Sequence, residues 1–219
     1  MKIGVLGTGP VGQAIATRLA ELGHEVTMGA RDAANEKAAA WAAEHGGAAG
    51  DFRQAAAGAE LVVNATAGSH AAAAVGQADP GPGTVLLDVS NALDGNFPPG
   101  LTVPPGDSTA EQLQRAHPQA RVVKALNTMN CEVMVHPELV PAPHEVFVAA
   151  DDDAAKAAVT ALLQQFGWPE GSVRDVGPLS SARGLEAGVL FWVTLRVALG
   201  HNHFNFHIAD AQSGNAPSS

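Results

Sequence analysis

The stretch KIGVLGTGPVGQAIATRLAELGHEVTMGARD, residues 2–32, decides the fold of this chain. An apolar run at residues 3–6 is followed at once by the glycine pattern GTGPVG (7–12), then by a helical pattern that ends at Leu22 and a second strand pattern at residues 24–28. A strand, a glycine turn, a helix and a strand in this order are typical of a unit that binds a dinucleotide pyrophosphate. The pattern therefore predicts a nucleotide site at the start of the first helix, where free N–H groups and the helix dipole attract an anion.

Each glycine of this motif has its own expected role. Gly7 permits the tight turn, Gly9 lets the backbone approach the phosphates, and Gly12 lets the helix pack closely on the strand. Such a glycine pattern can also be a merely structural turn. Its position between a strand and a helix at the start of the chain favours nucleotide binding.

The residues after the second strand indicate which nucleotide binds. Sites for NAD usually carry a carboxylate there, which binds the ribose 2′-hydroxyl, whereas this chain has Gly29, Ala30 and Arg31. A guanidinium suits a 2′-phosphate because its planar fork donates two parallel charged hydrogen bonds. Lys37, one turn into the next helix, offers a second charge. The pattern predicts NADP; the alternative is that Arg31 is a solvated surface residue and Asp32 a helix cap.

Composition restricts the class of protein. The 219 residues include 12 basic and 22 acidic side chains, a formal net charge of −10, which argues against nucleic acid or an anionic membrane as a main partner. Cys131 is the single cysteine, so no disulfide within the chain is possible, which fits a reducing cytoplasm. The longest apolar run, residues 187–199, is interrupted by Thr194 and Arg196. We expect a cytoplasmic protein without a leader segment that acts on small molecules.

Strand and helix patterns alternate along most of the chain. This alternation predicts an α/β fold, a Rossmann-type doubly wound and mostly parallel sheet with ligands at the carboxyl ends of its strands. Residues 1–150 are expected to form the NADP-binding domain, and residues 151–210 a smaller part of helix and strand that completes an acceptor cleft. Residues 211–219 are expected to be a disordered tail.

The last helical pattern, residues 179–199, breaks this alternation. Its apolar part from residue 185 onward forms a patch too large to be left in water, so we expect a homodimer. His201, His203 and His207 follow at the period of a strand, which is compatible with a metal site. We favour an exposed strand face and expect no metal, because no cysteine or carboxylate joins them.

Together these segments resemble the NADP oxidoreductases dependent on coenzyme F420. That family contains archaeal and bacterial NADPH:F420 oxidoreductases, and a related domain occurs in eukaryotic transmembrane ferric reductases. The resemblance extends from Ile3 to about Ile208. It is carried by GTGPVG, GAR, LLDVSNAL (86–93), RVVKALNTMN (121–130), VFVAADDDAAK (146–156), DVGPLSSARGLE (175–186) and HFNFHI (203–208). Archaeal members have His where Asn127 stands, so KALNT is closer to the bacterial and ferric-reductase branch.

The resemblance implies roles for individual residues. It assigns the pyrophosphate to the loop Thr8, Gly9, Pro10 and Val11, within the motif from Gly7 to Gly12. It assigns the 2′-phosphate to Ala30 and Arg31, and the nicotinamide ribose to Thr66, Ala67 and His70. It assigns the deazaflavin to Asn127, Thr128 and Met129, beside the turn of Leu179 and Ser180.

The implied activity is that of an NADPH-dependent oxidoreductase, of the EC 1.5.1 type, which exchanges a hydride between NADPH and F420 or a related flavin. Both cofactors carry their own reactivity, so positioning suffices and no protein nucleophile is needed. A second hypothesis is an NADPH-dependent reductase of a small imine or carbonyl, which needs a proton donor: Lys124, His70 and Asn127 are the candidate catalytic residues. A third is a non-catalytic NADP-binding redox sensor. Lys124 and His70 also have a structural interpretation: Lys124 as a side chain that points out from the end of a strand, and His70 as a residue at the start of a helix.

Overall fold

Short apolar strands form one eight-stranded sheet, and alanine-rich helices flank it, in the computed structural model, which describes residues 1–210. The tail expected at residues 211–219 lies outside the described residues. The strands are β1 (Lys2–Leu6), β2 (Glu25–Ala30), β3 (Ala48–Asp51), β4 (Leu61–Asn64), β5 (Val85–Asp88), β6 (Arg121–Ala125), β7 (Val146–Ala150) and β8 (Val173–Asp175). The helices are α1 (Pro10–Glu21), α2 (Glu36–His45), α3 (Phe52–Ala56), α4 (Gly68–Ala78), α5 (Thr109–Ala116), α6 (Cys131–Val135), α7 (Asp153–Phe166) and α8 (Ala182–Leu199).

The strand order is β3-β2-β1-β4-β5-β6-β7-β8, and all neighbours are parallel except β6 and β7. The predicted α/β fold with a doubly wound, mostly parallel sheet is confirmed. The order reverses between β1 and β4, which is the point where folds of this kind bind ligands. The loops that follow β1, β2, β4, β5 and β6 therefore meet at one edge of the sheet, called here the carboxyl edge.

Strand β7 runs against its neighbour β6. Ala125 pairs with Val148 and Val123 with Ala150, so the end of β7 lies toward the opposite, amino edge of the sheet. The domain boundary expected at residue 150 falls directly after this strand. Because β8 pairs with β7, the two expected parts of the chain share one sheet.

Helices cover both faces of the sheet because its strands are apolar on both sides. Helices α1, α2, α6 and α7 pack on one face, where Ile15, Trp41 and Val159 are buried. Helices α3, α4, α5 and the start of α8 pack on the other, where Leu113 and Ala182 are buried. This sandwich fixes the strand ends, and with them the loops of the carboxyl edge.

Some local predictions were wrong. The tail strand expected around residues 203–208 does not form; this segment is extended and bonds to the start of β7, where Phe206 O accepts from Glu145 N–H at 3.0 Å. His203 and His207 instead lie beside single carboxylates, and the described residues contain no cluster of three metal-ligating side chains. The last helix begins at residue 182, after a 3₁₀ turn at Leu179–Ser181.

Candidate functional site

The glycine loop has the geometry expected of a phosphate loop. Gly7 adopts φ +115° and donates its N–H to Gly29 O at 2.9 Å, and a Cβ on Gly12 would lie 2.1 Å from Gly7 O. Both positions therefore require glycine. A Cβ on Gly9 would meet nothing within 4 Å. No side chain caps α1, which begins at Pro10, so its first N–H groups remain available to an anion.

A cavity of about 430 Å³ lies on one side of this loop, between the ends of β1, β2 and β4. Arg31 lines it, is exposed, and has no ion pair with any residue from 1 to 210. The open glycine loop and this free guanidinium fit a dinucleotide with a 2′-phosphate. The other predicted nucleotide residues that line this cavity are Gly7, Thr8, Gly9, Ala30, Thr66, Ala67 and His70.

Two neighbours of Arg31 differ from their predicted roles. Lys37 lines a separate depression between α1 and α2, beside Gln13, and not the cavity of Arg31. Asp32 does not cap α2: its Oδ1 accepts from Ala34 N at 3.0 Å, and Asn35 is the cap residue. The structure thus brings one of the two expected cations to the cavity.

A second cavity, of about 340 Å³, lies on the other side of the glycine loop. It shares Gly9, Ala65, Thr66 and Ala67 with the first, so one extended molecule can occupy both. We call it the nicotinamide cavity. Its remaining walls come from the start of α1 and from the loops after β5 and β6: Pro10, Val11, Val89, Ser90, Asn91 and Met129, with Met134 of α6. His70 does not line it, so its predicted role as a proton donor to substrate lacks the required position.

The hydroxyl groups of the nicotinamide cavity donate to other protein groups. The Thr66 hydroxyl donates to Asn64 Oδ1 at 2.7 Å, and the Ser90 hydroxyl donates to Asp88 Oδ1 at 2.7 Å. The Asn64 amide donates to the same Asp88 oxygen at 2.8 Å, which fixes the orientation of that amide. Asn91 donates to the carbonyl oxygen of Asn127 at 2.8 Å. Both hydroxyls are therefore orienting groups for the two loops that carry them.

Lys124 is not placed as a proton donor to substrate. Its side chain is wholly buried, and its ammonium contacts Asp88 Oδ2 at 2.7 Å, Ser90 O at 2.6 Å and Glu186 Oε1 at 3.0 Å. The ammonium thus donates two hydrogen bonds and forms an ion pair with Glu186, all inside the protein. The prediction that Lys124 is a proton donor is therefore wrong: Lys124 organises the loop after β5 from inside the protein.

The turn after β6 is built around a left-handed residue. Leu126 adopts φ +64°, which is uncommon for a residue other than glycine and directs the following residue inward. Asn127 is 2% exposed; its amide donates to Asn91 Oδ1 at 3.0 Å and Leu185 O at 2.8 Å. It therefore joins two loops and α8 and is not available as a catalytic donor. Met129 lines the nicotinamide cavity, whereas Thr128 is buried and does not.

Leu179 and Ser180 lie away from the nucleotide loops. Leu179 is buried, and its N–H donates to Asp151 Oδ1 at 2.9 Å, just beyond the end of β7. Next to that carboxylate along the chain, Asp152 pairs with Arg121 at the start of β6. The turn therefore lies at the amino edge of the sheet, and its predicted place beside the acceptor is corrected. The antiparallel β7 caused this error, because it returns the chain to the opposite edge.

Sequence reasoning assigned no role to the buried charges Asp88 and Glu186. A carboxylate at the end of an apolar strand, as in LLD (86–88), was an available signal, since such a charge needs partners when buried. Glu186 gave no such signal, because its partners lie far away in sequence. The lone Cys131 is half-buried, and burial raises the pKa of its thiol.

A family profile described as NADP oxidoreductase coenzyme F420-dependent matches residues 2–92. A solved structure from Arthrobacter sp. FB24, provisionally assigned as an F420-dependent NADP-reductase, is 44% identical, with a TM-score of 0.89. The match covers 96% of this chain and 100% of that one. This chain belongs to the F420-dependent NADP oxidoreductase family. As a member it is an NADP-dependent oxidoreductase with a site for NADP(H).

Two more distant matches are similar to this chain, one in sequence and one in fold. Metalloreductase STEAP3 of Rattus norvegicus is 28% identical over 187 residues, which cover 85% of this chain and 36% of that protein. The chain thus spans about a third of the length of this curated relative. A reductive aminase from Aspergillus terreus, solved with NADPH and ethyl-5-oxohexanoate, is 21% identical to this chain, with a TM-score of 0.63. The match covers 91% of this chain and 62% of the aminase chain. At that identity the likeness concerns the fold alone.

Within residues 1–210, no helix combines the length and the apolar character that a membrane crossing requires.

Proposed function

We propose that this family member exchanges a hydride between NADPH and coenzyme F420 or a related flavin. The observation that carries the proposal is the state of the proton donors around the nicotinamide cavity. Thr66 and Ser90, the hydroxyl residues among its walls, both donate to protein acceptors. A carbonyl or imine reductase needs an acid beside its substrate, whereas exchange between two ring cofactors needs positioning.

In this proposal the nucleotide is held by groups that require no rearrangement. The open N–H groups after Gly9 bind the pyrophosphate, and Arg31 selects the 2′-phosphate. Val89 and Met129 supply apolar contacts that exclude water from one side of the nicotinamide cavity. The bound nucleotide supplies the hydride chemistry itself.

The charges near α8 bear on the choice of acceptor. Arg183 is engaged by Glu111 at 2.6 Å, and Arg196 donates to Asn202 Oδ1 at 2.6 Å. Arg183 is thus paired with a carboxylate, whereas Arg196 bonds a neutral amide and keeps its charge, so within residues 1–210 α8 offers the acidic tail of F420 one unpaired cation. A flavin without that tail is also included in the proposal.

The test is absorbance spectroscopy of the purified protein with NADPH and F420, with FMN and FAD in parallel. Loss of the acceptor band together with the NADPH band, at a rate proportional to protein, supports the proposal. Tight NADPH binding with no change in any acceptor contradicts it and favours a redox sensor. Turnover of a small imine or carbonyl, with no flavin reduction, favours the reductase hypothesis instead.

A further inference from the structure

Three ionisable side chains meet without solvent contact beside the nicotinamide cavity. Lys124 and Asp88 are 0% exposed and Glu186 is 1% exposed. The Lys124 ammonium lies 2.7 Å from Asp88 Oδ2, 3.0 Å from Glu186 Oε1 and 2.6 Å from the carbonyl oxygen of Ser90. We call Lys124, Asp88 and Glu186 the buried triad. It joins β5, β6 and α8 at the level of the cofactor loops.

The remaining oxygens of the two carboxylates are also bonded. Asp88 Oδ1 accepts from the Asn64 amide and the Ser90 hydroxyl. Glu186 accepts from the first two N–H groups of α5, at 2.9 and 3.2 Å. The triad carries one net negative charge, and the N-terminal dipole of α5 offsets part of it. Each carboxylate oxygen of the triad therefore has a partner, and the Lys124 ammonium has two hydrogen bonds and an ion pair with Glu186.

Stability alone gives no reason for this arrangement. Apolar side chains of similar volume are often as stabilising as a buried ion pair, or more so, because the ions lose their hydration. The fixed geometry of the triad does, however, reach both loops of the nicotinamide cavity. It reaches Ser90 directly. It reaches Thr66 through Asn64, whose amide nitrogen donates to Asp88 and whose Oδ1 accepts a hydrogen bond from the Thr66 hydroxyl.

We propose that Lys124 is a positioning residue for hydride transfer. Its ammonium holds Asp88 and the Ser90 carbonyl, so that the loops carrying Thr66 and Asn91 present one rigid wall to the nicotinamide ring. Through Glu186 the same ammonium fixes α8 relative to this wall. The inference rests on the proposed function, because a wall of this kind matters when two rings must be held at a reactive distance.

The test removes all three charges together, in the variant Lys124→Met, Asp88→Asn and Glu186→Gln. This change leaves no unpaired ion in the interior, so the fold is expected to survive with a melting temperature within about 5 °C of the original. The matched control is Lys156→Met on α7. Lys156 also contacts a carboxylate, Asp175, and a carbonyl, Gly177 O, but at the amino edge of the sheet.

Three measurements separate positioning from a structural role. For the triple variant we expect the dissociation constant of NADPH to change less than about threefold, because the glycine loop and Arg31 are untouched. The fluorescence anisotropy of bound NADPH is expected to fall, since the nicotinamide ring becomes mobile. The single-turnover rate of hydride transfer is expected to fall about 100-fold. The control is expected to match the original protein in all three.

Original anisotropy and an original transfer rate in the folded triple variant would overturn the proposal. If the original protein reduces no acceptor, the proposed function fails, while the anisotropy still decides the positioning role. If the triple variant does not fold, Glu186→Gln replaces it, because its amide oxygen can still accept from α5. That single change is expected to lower the transfer rate about tenfold, and an unchanged rate and anisotropy would again overturn the proposal.

Discussion

The two sides of the cofactor site are built in different ways. On the pyrophosphate side, contiguous residues from Gly7 to Gly12 and the cation Arg31, unpaired within residues 1–210, provide the recognition groups, and backbone geometry sets their places. On the nicotinamide side, residues far apart in sequence meet through buried polar contacts, as Asp88 and Lys124 do over 36 positions. The first side is therefore a local motif, and the second is a product of tertiary packing.

The largest effect is expected from the glycines of the local motif. Gly12→Ala places a Cβ 2.1 Å from Gly7 O, so α1 must move; we expect about 2–3 kcal/mol lower stability and loss of NADPH binding. Gly9→Ala meets no neighbouring atom, so we expect stability within about 1 kcal/mol of the original but at least tenfold weaker NADPH binding. Urea unfolding and NADPH fluorescence titration measure both. Equal stability of the two variants would contradict the assignment of Gly12 to packing and of Gly9 to ligand contact.

The next effect concerns the choice between NADPH and NADH. Arg31→Ala removes the free guanidinium of the cavity, and a charged bidentate contact contributes about 1.5–3 kcal/mol. We expect the NADPH dissociation constant to rise about 10- to 100-fold, with less than about a threefold change for NADH. Lys37→Ala is the matched control, because Lys37 lines a different depression. A comparable loss of NADPH affinity in the Lys37→Ala control would indicate that the 2′-phosphate binds nearer to α2.

This contrast also explains how much the sequence could predict. The fold class, the phosphate loop and the role of Arg31 can be predicted because each depends on residues that are neighbours along the chain. In the structure, the phosphate loop and Arg31 line one cavity. The sequence predicts Lys124 and Asn127 as proton donors because it does not show their partners. The Lys124 ammonium contacts Glu186, 62 positions away, and the Asn127 amide contacts Leu185 O, 58 positions away. Strand direction had the same effect on Leu179, since no local pattern distinguishes an antiparallel β7 from a parallel one.

A smaller effect concerns the apolar face of α8, which lines neither cavity of the cofactor site. Residues 187–209 contain no Asp or Glu in a chain with net charge −10, and Phe191 and Val197 are 58% and 60% exposed. Two copies repel each other least through this face, so we propose that a second copy covers it. Light scattering after size exclusion is expected to show a dimer. Phe191→Ala is expected to weaken it about tenfold, while Leu139→Ala, exposed elsewhere, is the control; a monomeric original protein would contradict the proposal.

The smallest effect concerns the ion pair that anchors the loop before α5. A hydrogen bond from Arg115, at 2.7 Å, lowers the pKa of Asp107 from 3.8 to about 2. A lowered pKa in the folded state means that the stabilisation is present above about pH 4 and is lost as the pH falls through about 2. Arg115 is 60% exposed, so solvent screening keeps the contribution small.

The variant Arg115→Gln is therefore expected to be slightly less stable at pH 7 and to converge with the original protein as the pH falls through about 2, as measured by urea unfolding at several pH values. Arg53→Gln is the control, since Arg53 lies 3.8 Å from Asp79 and both side chains are more than half exposed; no measurable change is expected there. A constant difference between Arg115→Gln and the original protein at all pH values would show that Arg115 acts through packing and not through the Asp107 carboxylate. In that case apolar contacts would hold the loop before α5. On the nicotinamide side, the polar contacts that fix structure would then be limited to the loops that line the nicotinamide cavity.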